Sequence, residues 1–121
     1  MCEFDCLDRC AAYVATRGAL EAVHRASTVW PDELAEHAKR AAIDTVMTTA
    51  ESLSFDHGTS ARRRCVRAAI TTAIELAAAC DVARAMGLAN GELERAQRHA
   101  GRAVALLGLL FHSSANPFPE D

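Results

Sequence analysis

The feature that most limits what this chain can fold into is a long central stretch without proline. Prolines stand at positions 31, 117 and 119, and none lies between Pro31 and Pro117. The chain contains 26 alanines. Alanine, leucine, arginine and glutamate dominate the proline-free stretch, and these residues favour helices and are poorly suited to strands. The sequence therefore predicts an all-α protein without a sheet.

Apolar residues that recur every three or four positions divide the chain into four helices. We expect these helices over residues 3–28, 32–55, 61–86 and 91–111. Pro31 separates the first helix from the second, because the residue before a proline disfavours helix. Thr59 or Ser60 is placed to cap the third helix. Gly87 is expected to end that helix, and Asn90 to cap the fourth.

Short connections between long helices favour an antiparallel, up-down-up-down four-helix bundle. We expect the bundle over residues 1–113 and a flexible C-terminal tail over residues 114–121. Alanine buries little area per residue, so the core of such a bundle is thin. The third helix is apolar on more than one side. Both features predict a homo-oligomer, since contacts between copies would add buried area.

The charge and the ends of the chain narrow the possible partners and compartments. The formal net charge is −3, which gives little long-range attraction toward nucleic acid. No uncharged apolar run approaches the roughly 18 residues of a membrane span. The N-terminus is acidic where a secretory signal is basic. We expect a cytoplasmic protein without membrane contact, in which the five cysteines are reduced.

An arginine cluster stands at the start of the third helix, where positive charge opposes the helix dipole. Two interpretations are open. In the structural one, ion pairs of Arg40 with Glu75, and of Glu51 with Arg63 or Arg64, fix the register of two neighbouring helices. In the functional one, a basic patch binds phosphate or a protein partner. The residues of that patch are Lys39, Arg62, Arg63, Arg64, Arg67, Arg98 and Arg102.

Four-helix bundles also house di-metal sites, which use two Glu-x-x-His motifs and two further glutamates. Only Glu21 and His24 have this spacing here. We expect no metal and no cofactor, and we keep a metal-dependent enzyme that uses Glu21, His24, Glu51 and Glu75 as an alternative. No Ser or Cys has a histidine and an acid at the spacing of a catalytic triad, and no glycine-rich phosphate loop is present. The sequence predicts no catalytic residue.

Three cysteines near the N-terminus share one face of the predicted first helix. At 1.5 Å per residue, Cys2 and Cys10 are about 12 Å apart along the axis, whereas two sulfurs on one zinc are at most about 4.6 Å apart. Cys2, Cys6 and Cys10 cannot all bind one ion, so we interpret them as small apolar residues, with an intersubunit thiol or metal contact as the alternative. Cys65 and Cys80 are expected in the core or at an interface.

A series of short motifs carries a family resemblance. The motifs are Trp30-Pro31-Asp32-Glu33, Ala38-Lys39-Arg40-Ala41-Ala42-Ile43, Thr49-Ala50-Glu51-Ser52, Thr71-Thr72-Ala73-Ile74-Glu75-Leu76 and Ala83-Arg84-Ala85-Met86-Gly87. Over about residues 20–111 the chain resembles the small four-helix-bundle proteins encoded in 23S ribosomal RNA intervening sequences. That family includes the accessory variability determinant proteins of diversity-generating retroelements. Lys39 and Arg40 match the basic pair of the family, whereas Ser52 stands where the family has glycine.

The resemblance implies a ring of five identical subunits, and a basic surface that binds a reverse transcriptase and RNA. We therefore expect a non-catalytic, homo-oligomeric scaffold or adaptor that engages a nucleic-acid-processing protein or RNA. Two alternatives stay open, namely the metal-dependent bundle enzyme and a purely structural subunit of a larger complex.

Overall fold

The structure, a computed structural model, describes residue 7 and residues 9–115. Its four α-helices are α1 (Ala11–Ala26), α2 (Asp32–Ser52), α3 (Ser60–Ala85) and α4 (Gly91–Ala115). A short 3-10 turn, Ser27–Val29, follows α1. The described residues contain no strand, and the predicted all-α class is confirmed.

The turns between the helices are set by residues close in sequence. The side chain of Thr59 accepts a hydrogen bond from the backbone N–H of Arg62 (3.2 Å), and that of Asn90 accepts one from Leu93 (2.8 Å). Each satisfies an amide that the first turn of a helix leaves unpaired. Gly87 has φ of +80°, a left-handed conformation that ends α3. The predicted caps at Thr59 and Asn90 and the predicted stop at Gly87 are confirmed.

The predicted start of the first helix at residue 3 is wrong in the part of the chain that is described. Cys10 has an extended backbone (φ −86°, ψ 111°), and α1 begins at Ala11. Cys10 packs against α4, in a groove that it shares with Leu106 and Leu110. Packing of this kind overrides the helical periodicity of a short segment. Residues 3–6 and 8 of the predicted helix lie outside the described residues.

Two other helix ends also differ from the prediction. α2 ends at Ser52 rather than at residue 55, and the N–H of Leu53 donates to the carbonyl of Ala50 (3.1 Å) in a tightened last turn. α4 continues to Ala115, past its predicted end at residue 111. Of the predicted tail, residues 116–121 lie outside the described residues.

The four helices form a bundle in which α1 packs on α2 and α4, and α3 packs on the same two helices. Most of the buried core residues are alanines, and the largest fully buried side chains are those of Leu76, Leu93 and Leu107. α1 and α4 approach closely at Gly18, where an added Cβ would lie 2.8 Å from ring atoms of His99. None of the helices within the described residues has the length and apolar character needed to cross a lipid bilayer.

Polar residues complete the interface between α2 and α3. Thr45 and Thr49 are fully buried there. The Thr45 hydroxyl donates to the carbonyl of Ala41 (2.7 Å), which satisfies it within its own helix, and it lies 2.8 Å from the hydroxyl oxygen of Thr72 on α3. Further along, the thiol of Cys65 on α3 contacts the carbonyl oxygen of Thr48 on α2 (3.4 Å). These contacts set the register of α2 against α3.

Candidate functional site

An open groove with a volume of about 510 Å³ lies along the first half of α3. Positions three and four residues apart share one face of a helix, so the spacing of the arginines in this segment brings three of them together. The small side chain of Ala68 leaves room between them. The lining residues are Arg63, Arg64, Arg67, Ala68 and Thr71, and we call this surface the basic groove.

The lining of the basic groove is positively charged, and the adjoining groove, which shares Arg64 and Ala68 with it, contains one carboxylate, that of Glu51. None of its lining residues is acidic, and the first turn of α3 contains no acidic residue. The guanidinium of Arg64 donates to the hydroxyl of Ser60 (3.5 Å), a neutral acceptor. The first turn of a helix adds its own positive potential, and Arg63 lies at this end of α3. This arrangement suits an anionic ligand with several negative charges.

Arg67 is held in the basic groove by an aromatic ring of α4. Its guanidinium carbon lies 5.1 Å from the centre of the Phe111 ring, which is within the range of a cation–π contact. The ring restricts the motion of the arginine without neutralising its charge. Sequence reasoning did not identify Phe111, because no local pattern links position 67 to position 111.

Arg62, predicted as part of the binding patch, is instead a buried residue. Only 8% of its surface is exposed, and its guanidinium donates to the carbonyl of Phe55 (3.3 Å), just beyond the end of α2. The carbonyl end of a helix is partly negative, which favours a cation at this place. Arg62 therefore joins the end of α2 to the start of α3, and it is not available to a partner.

The remaining basic residues of the predicted patch lie elsewhere. Lys39 and Arg40 line a separate groove on α2, together with Glu36, Ile43 and Asp44. Thr48 lies opposite Cys65, so Lys39, nine residues earlier, is about 14 Å further along α2.

Arg98 and Arg102 are exposed on α4 and do not line the basic groove. The structure thus brings together three members of the predicted patch, Arg63, Arg64 and Arg67, and separates the others.

The two predicted ion pairs between α2 and α3 are not formed among the described residues. Arg40, Glu51 and Glu75 are all exposed, and exposed charges gain little from pairing. Glu51 lies beside the thiol of Cys65, at the level that the predicted register gave it. Burial raises the pKa of the Cys65 thiol, and the charge of Glu51 and a hydrogen bond with it raise this pKa further. Cys65 is thereby kept in its protonated form.

The structure offers little support for a metal centre inside the bundle. Such a centre needs carboxylates and histidines that project inward. Glu21, His24, Glu51 and Glu75 are all exposed. Residues 7 and 9–115 contain no group of three or more His, Cys, Asp or Glu side chains placed to hold one ion.

The cysteines have separate surroundings. Cys80 is buried in the main core, as predicted, and Cys65 is half-buried. Cys10 precedes α1 rather than lying within it, so it does not share a helical face in the way the sequence predicted. Cys2 and Cys6 lie outside the described residues.

Large apolar side chains are exposed on the outer face of α2 and α3. Met47 is 65% exposed, Ile43 48% and Ile74 53%. Thr45 and Thr72 are in contact, so Ile43 and Ile74, each two residues away from this contact, lie at about the same level of the bundle. Apolar groups that are grouped on one face are typical of surfaces that bind another protein chain.

No protein-family model matches the chain, and no curated protein matches its sequence.

Proposed function

We propose that the protein is a non-catalytic, homo-oligomeric adaptor whose basic groove binds a partner rich in phosphate. The observation that carries the proposal is the grouping of Arg63, Arg64 and Arg67 around Ala68 without a carboxylate in the groove. Arginine binds phosphate oxygens through two donors at once, and phosphate contacts supply most of the affinity for nucleic acid. Following the resemblance, the partner is RNA, bound alone or together with a nucleic-acid-processing protein such as a reverse transcriptase.

The oligomer is the second part of the proposal, with the five-membered ring of the resembling family as its form and the cytoplasm as its location. The exposed apolar residues of α2 and α3 support it, because a contact between copies would bury them. The thin alanine core supports it further, since a second buried surface would add stability. We also infer the up-down-up-down arrangement. Between α2 and α3, for example, Thr45 meets Thr72 and Thr48 meets Cys65, as antiparallel neighbours do.

The binding proposal is tested with a fluorescent single-stranded RNA and a triple variant, R63A/R64A/R67A. We expect this variant to lose at least about tenfold in affinity at low salt, and the slope of log affinity against log salt to fall by about two, since each phosphate contact contributes about 0.7. The matched control is R25A/R98A/R102A, which removes three exposed arginines outside the basic groove. Equal losses in the two triple variants would refute a site at the groove.

The oligomer is tested by native mass spectrometry of the wild type and two variants. M47E places a charge on the outer face of α2, whereas V29E places one at a residue of equal exposure, 65%, outside α2 and α3. We expect a five-chain species that M47E dissociates and V29E preserves. A monomeric wild type would refute the oligomer. An intact ring that binds no RNA would favour the purely structural subunit.

A further inference from the structure

The basic groove adjoins a second open groove, which lies between α2 and α3 and has a volume of about 440 Å³. Because Arg64 and Ala68 line both grooves, a ligand that binds in the basic groove can extend into the second one. We call this second surface the side groove. Its lining residues are Thr48, Glu51, Phe55, Ala61, Arg64, Cys65 and Ala68.

The side groove has the shape and the apolar surface that suit a flat ring. On α3 its lining consists largely of small side chains, those of Ala61, Cys65 and Ala68, which share one face of the helix. Phe55, which follows the end of α2, is half-buried, so part of its surface is accessible to a ligand. Aromatic side chains bind the bases of single-stranded nucleic acid by stacking.

The carboxylate of Glu51 gives the side groove a strong hydrogen-bond acceptor. Burial, the charge of Glu51 and a hydrogen bond with Glu51 raise the pKa of the Cys65 thiol. The thiol therefore stays protonated beside the carboxylate, and it also contacts the carbonyl oxygen of Thr48 (3.4 Å). A carboxylate repels phosphate, so Glu51 adds nothing to the affinity of the basic groove for phosphate. The group that Glu51 suits is one that presents N–H donors.

Guanine is the RNA base whose Watson–Crick edge matches a carboxylate. Its N1–H and its N2 amino group are adjacent donors, and the two oxygens of a carboxylate can accept from both at once. Adenine and cytosine have a ring-nitrogen acceptor beside the amino group, and uracil has a carbonyl on each side of its N–H. These acceptors repel a carboxylate. Unpaired bases in single-stranded RNA are recognised at this edge.

We propose that Glu51 binds a guanine base in the side groove while Arg63, Arg64 and Arg67 bind the phosphates next to it. Phe55 supplies the surface on which the base stacks. The protein then prefers single-stranded RNA that contains an unpaired guanosine. This inference rests on the proposed function, to which it adds a sequence preference.

Fluorescence anisotropy with matched RNA probes tests the preference. Each probe is an oligouridine of the same length and charge, with guanosine, inosine, adenosine, cytidine or uridine at its centre. The wild type should bind the guanosine probe about tenfold more tightly than the uridine probe, as a bidentate contact discriminates. Inosine lacks the N2 amino group, so the affinity of its probe should lie between these two. Equal affinities for all the probes would overturn the guanine subsite and leave the proposed function standing.

Three variants locate the preference within the side groove. The readout is the ratio of the affinities for the guanosine and uridine probes, in which a general effect of charge cancels. E51Q replaces one acceptor oxygen with a donor, so the ratio should fall to about one, while binding of the uridine probe shows that the variant is folded. The matched control, E75Q, removes an exposed carboxylate of α3 that lines neither groove, and it should keep the ratio.

F55L should weaken the binding of every probe by at least about fivefold and keep the ratio, because stacking does not distinguish the bases. A ratio that E51Q leaves unchanged would overturn the role of Glu51.

Free guanine nucleotides present the same base and phosphates, and equilibrium dialysis with GTP and ATP separates this source from RNA. The two nucleotides have the same charge, so a difference between them depends on the base. A guanosine preference in RNA without retention of GTP would support the subsite and identify an RNA strand as its ligand. Retention of GTP over ATP that E51Q abolishes, without binding of any RNA probe, would refute the proposed function and leave the guanine subsite supported. Binding of neither RNA nor GTP would refute both.

Discussion

Because α1 and α4 approach each other closely at Gly18, we expect alanine substitutions at two glycines to have different effects on stability. At Gly18 an added Cβ would lie 2.8 Å from the Cε1 and Nδ1 atoms of His99, whereas at Gly101, in the middle of α4, it would meet nothing within 4 Å. The replacements G18A and G101A add the same methyl group to a helix. They therefore separate the effect of packing from the effect of helix propensity.

The magnitude follows from these distances. An ordinary contact of a Cβ begins at 3.4 Å, so the His99 ring must move by at least about 0.6 Å in G18A. Overpacking of this kind costs about 1–3 kcal/mol. Alanine gains about 1 kcal/mol over glycine inside a helix. We expect G101A to raise the free energy of unfolding by about 0.5–1 kcal/mol, and G18A to lie about 1–3 kcal/mol below G101A.

The assay is urea unfolding followed by circular dichroism, at one fixed protein concentration because an oligomer is concentration-dependent. The double variant G18A/H99A removes the ring that the new methyl group meets. The effects of G18A and H99A on the free energy of unfolding should be non-additive by about 1 kcal/mol or more, so that the double variant is more stable than the sum of the two single effects predicts. Equal stabilisation in G18A and G101A would refute the close contact between α1 and α4.

Two further predictions concern buried polar groups. Arg62→Ala removes the hydrogen bond to the Phe55 carbonyl and should lower the free energy of unfolding by about 1–3 kcal/mol, whereas Arg64→Ala, at an exposed position, should change it by less than about 0.5 kcal/mol. Urea unfolding measures both changes in free energy, and equal changes would contradict the role of Arg62 in joining the end of α2 to the start of α3. Burial raises the pKa of Cys80 from 9.0 to about 11. As pH rises from 9 to 11, the thiol of the unfolded chain loses its proton before that of the folded chain, so the free energy of unfolding should fall over this interval. It should fall less in Cys80→Ala. Identical pH profiles of the wild type and this variant would contradict the raised pKa of Cys80.

The sequence predicted the features that depend on neighbouring residues and missed those that depend on contacts across the fold. Thr59 and Asn90 cap helices through residues three positions away, so their roles can be inferred from the local pattern alone. Arginine is rarely buried, so nothing in the local sequence indicated that Arg62 would turn inward toward the end of α2. The contact of Phe111 with Arg67 joins residues far apart in the chain, and only the packing of α3 on α4 creates it.

Which basic residues lie together also depends on the tertiary structure. Arg63, Arg64 and Arg67 could be placed together because they lie within two turns of one helix. Lys39, by contrast, lies on another helix, and its distance from the groove follows from the register of α2 against α3, which the Cys65 contact sets. The sequence thus placed Arg63, Arg64 and Arg67 together, whereas the separation of Lys39 from them follows only from the fold.

The alanine-rich core has a consequence for how this bundle responds to a partner. An alanine side chain has no rotamers, so a core built mainly from alanine loses little side-chain entropy on folding and has few alternative packings to adopt. The larger apolar residues of the core are fewer, namely Val23, Trp30, Leu53, Val66, Leu76, Leu93 and Leu107. A ligand on the outer surface therefore meets a stiff framework that does not rearrange inside. Any signal that the protein transmits must travel by movement of whole helices or whole subunits.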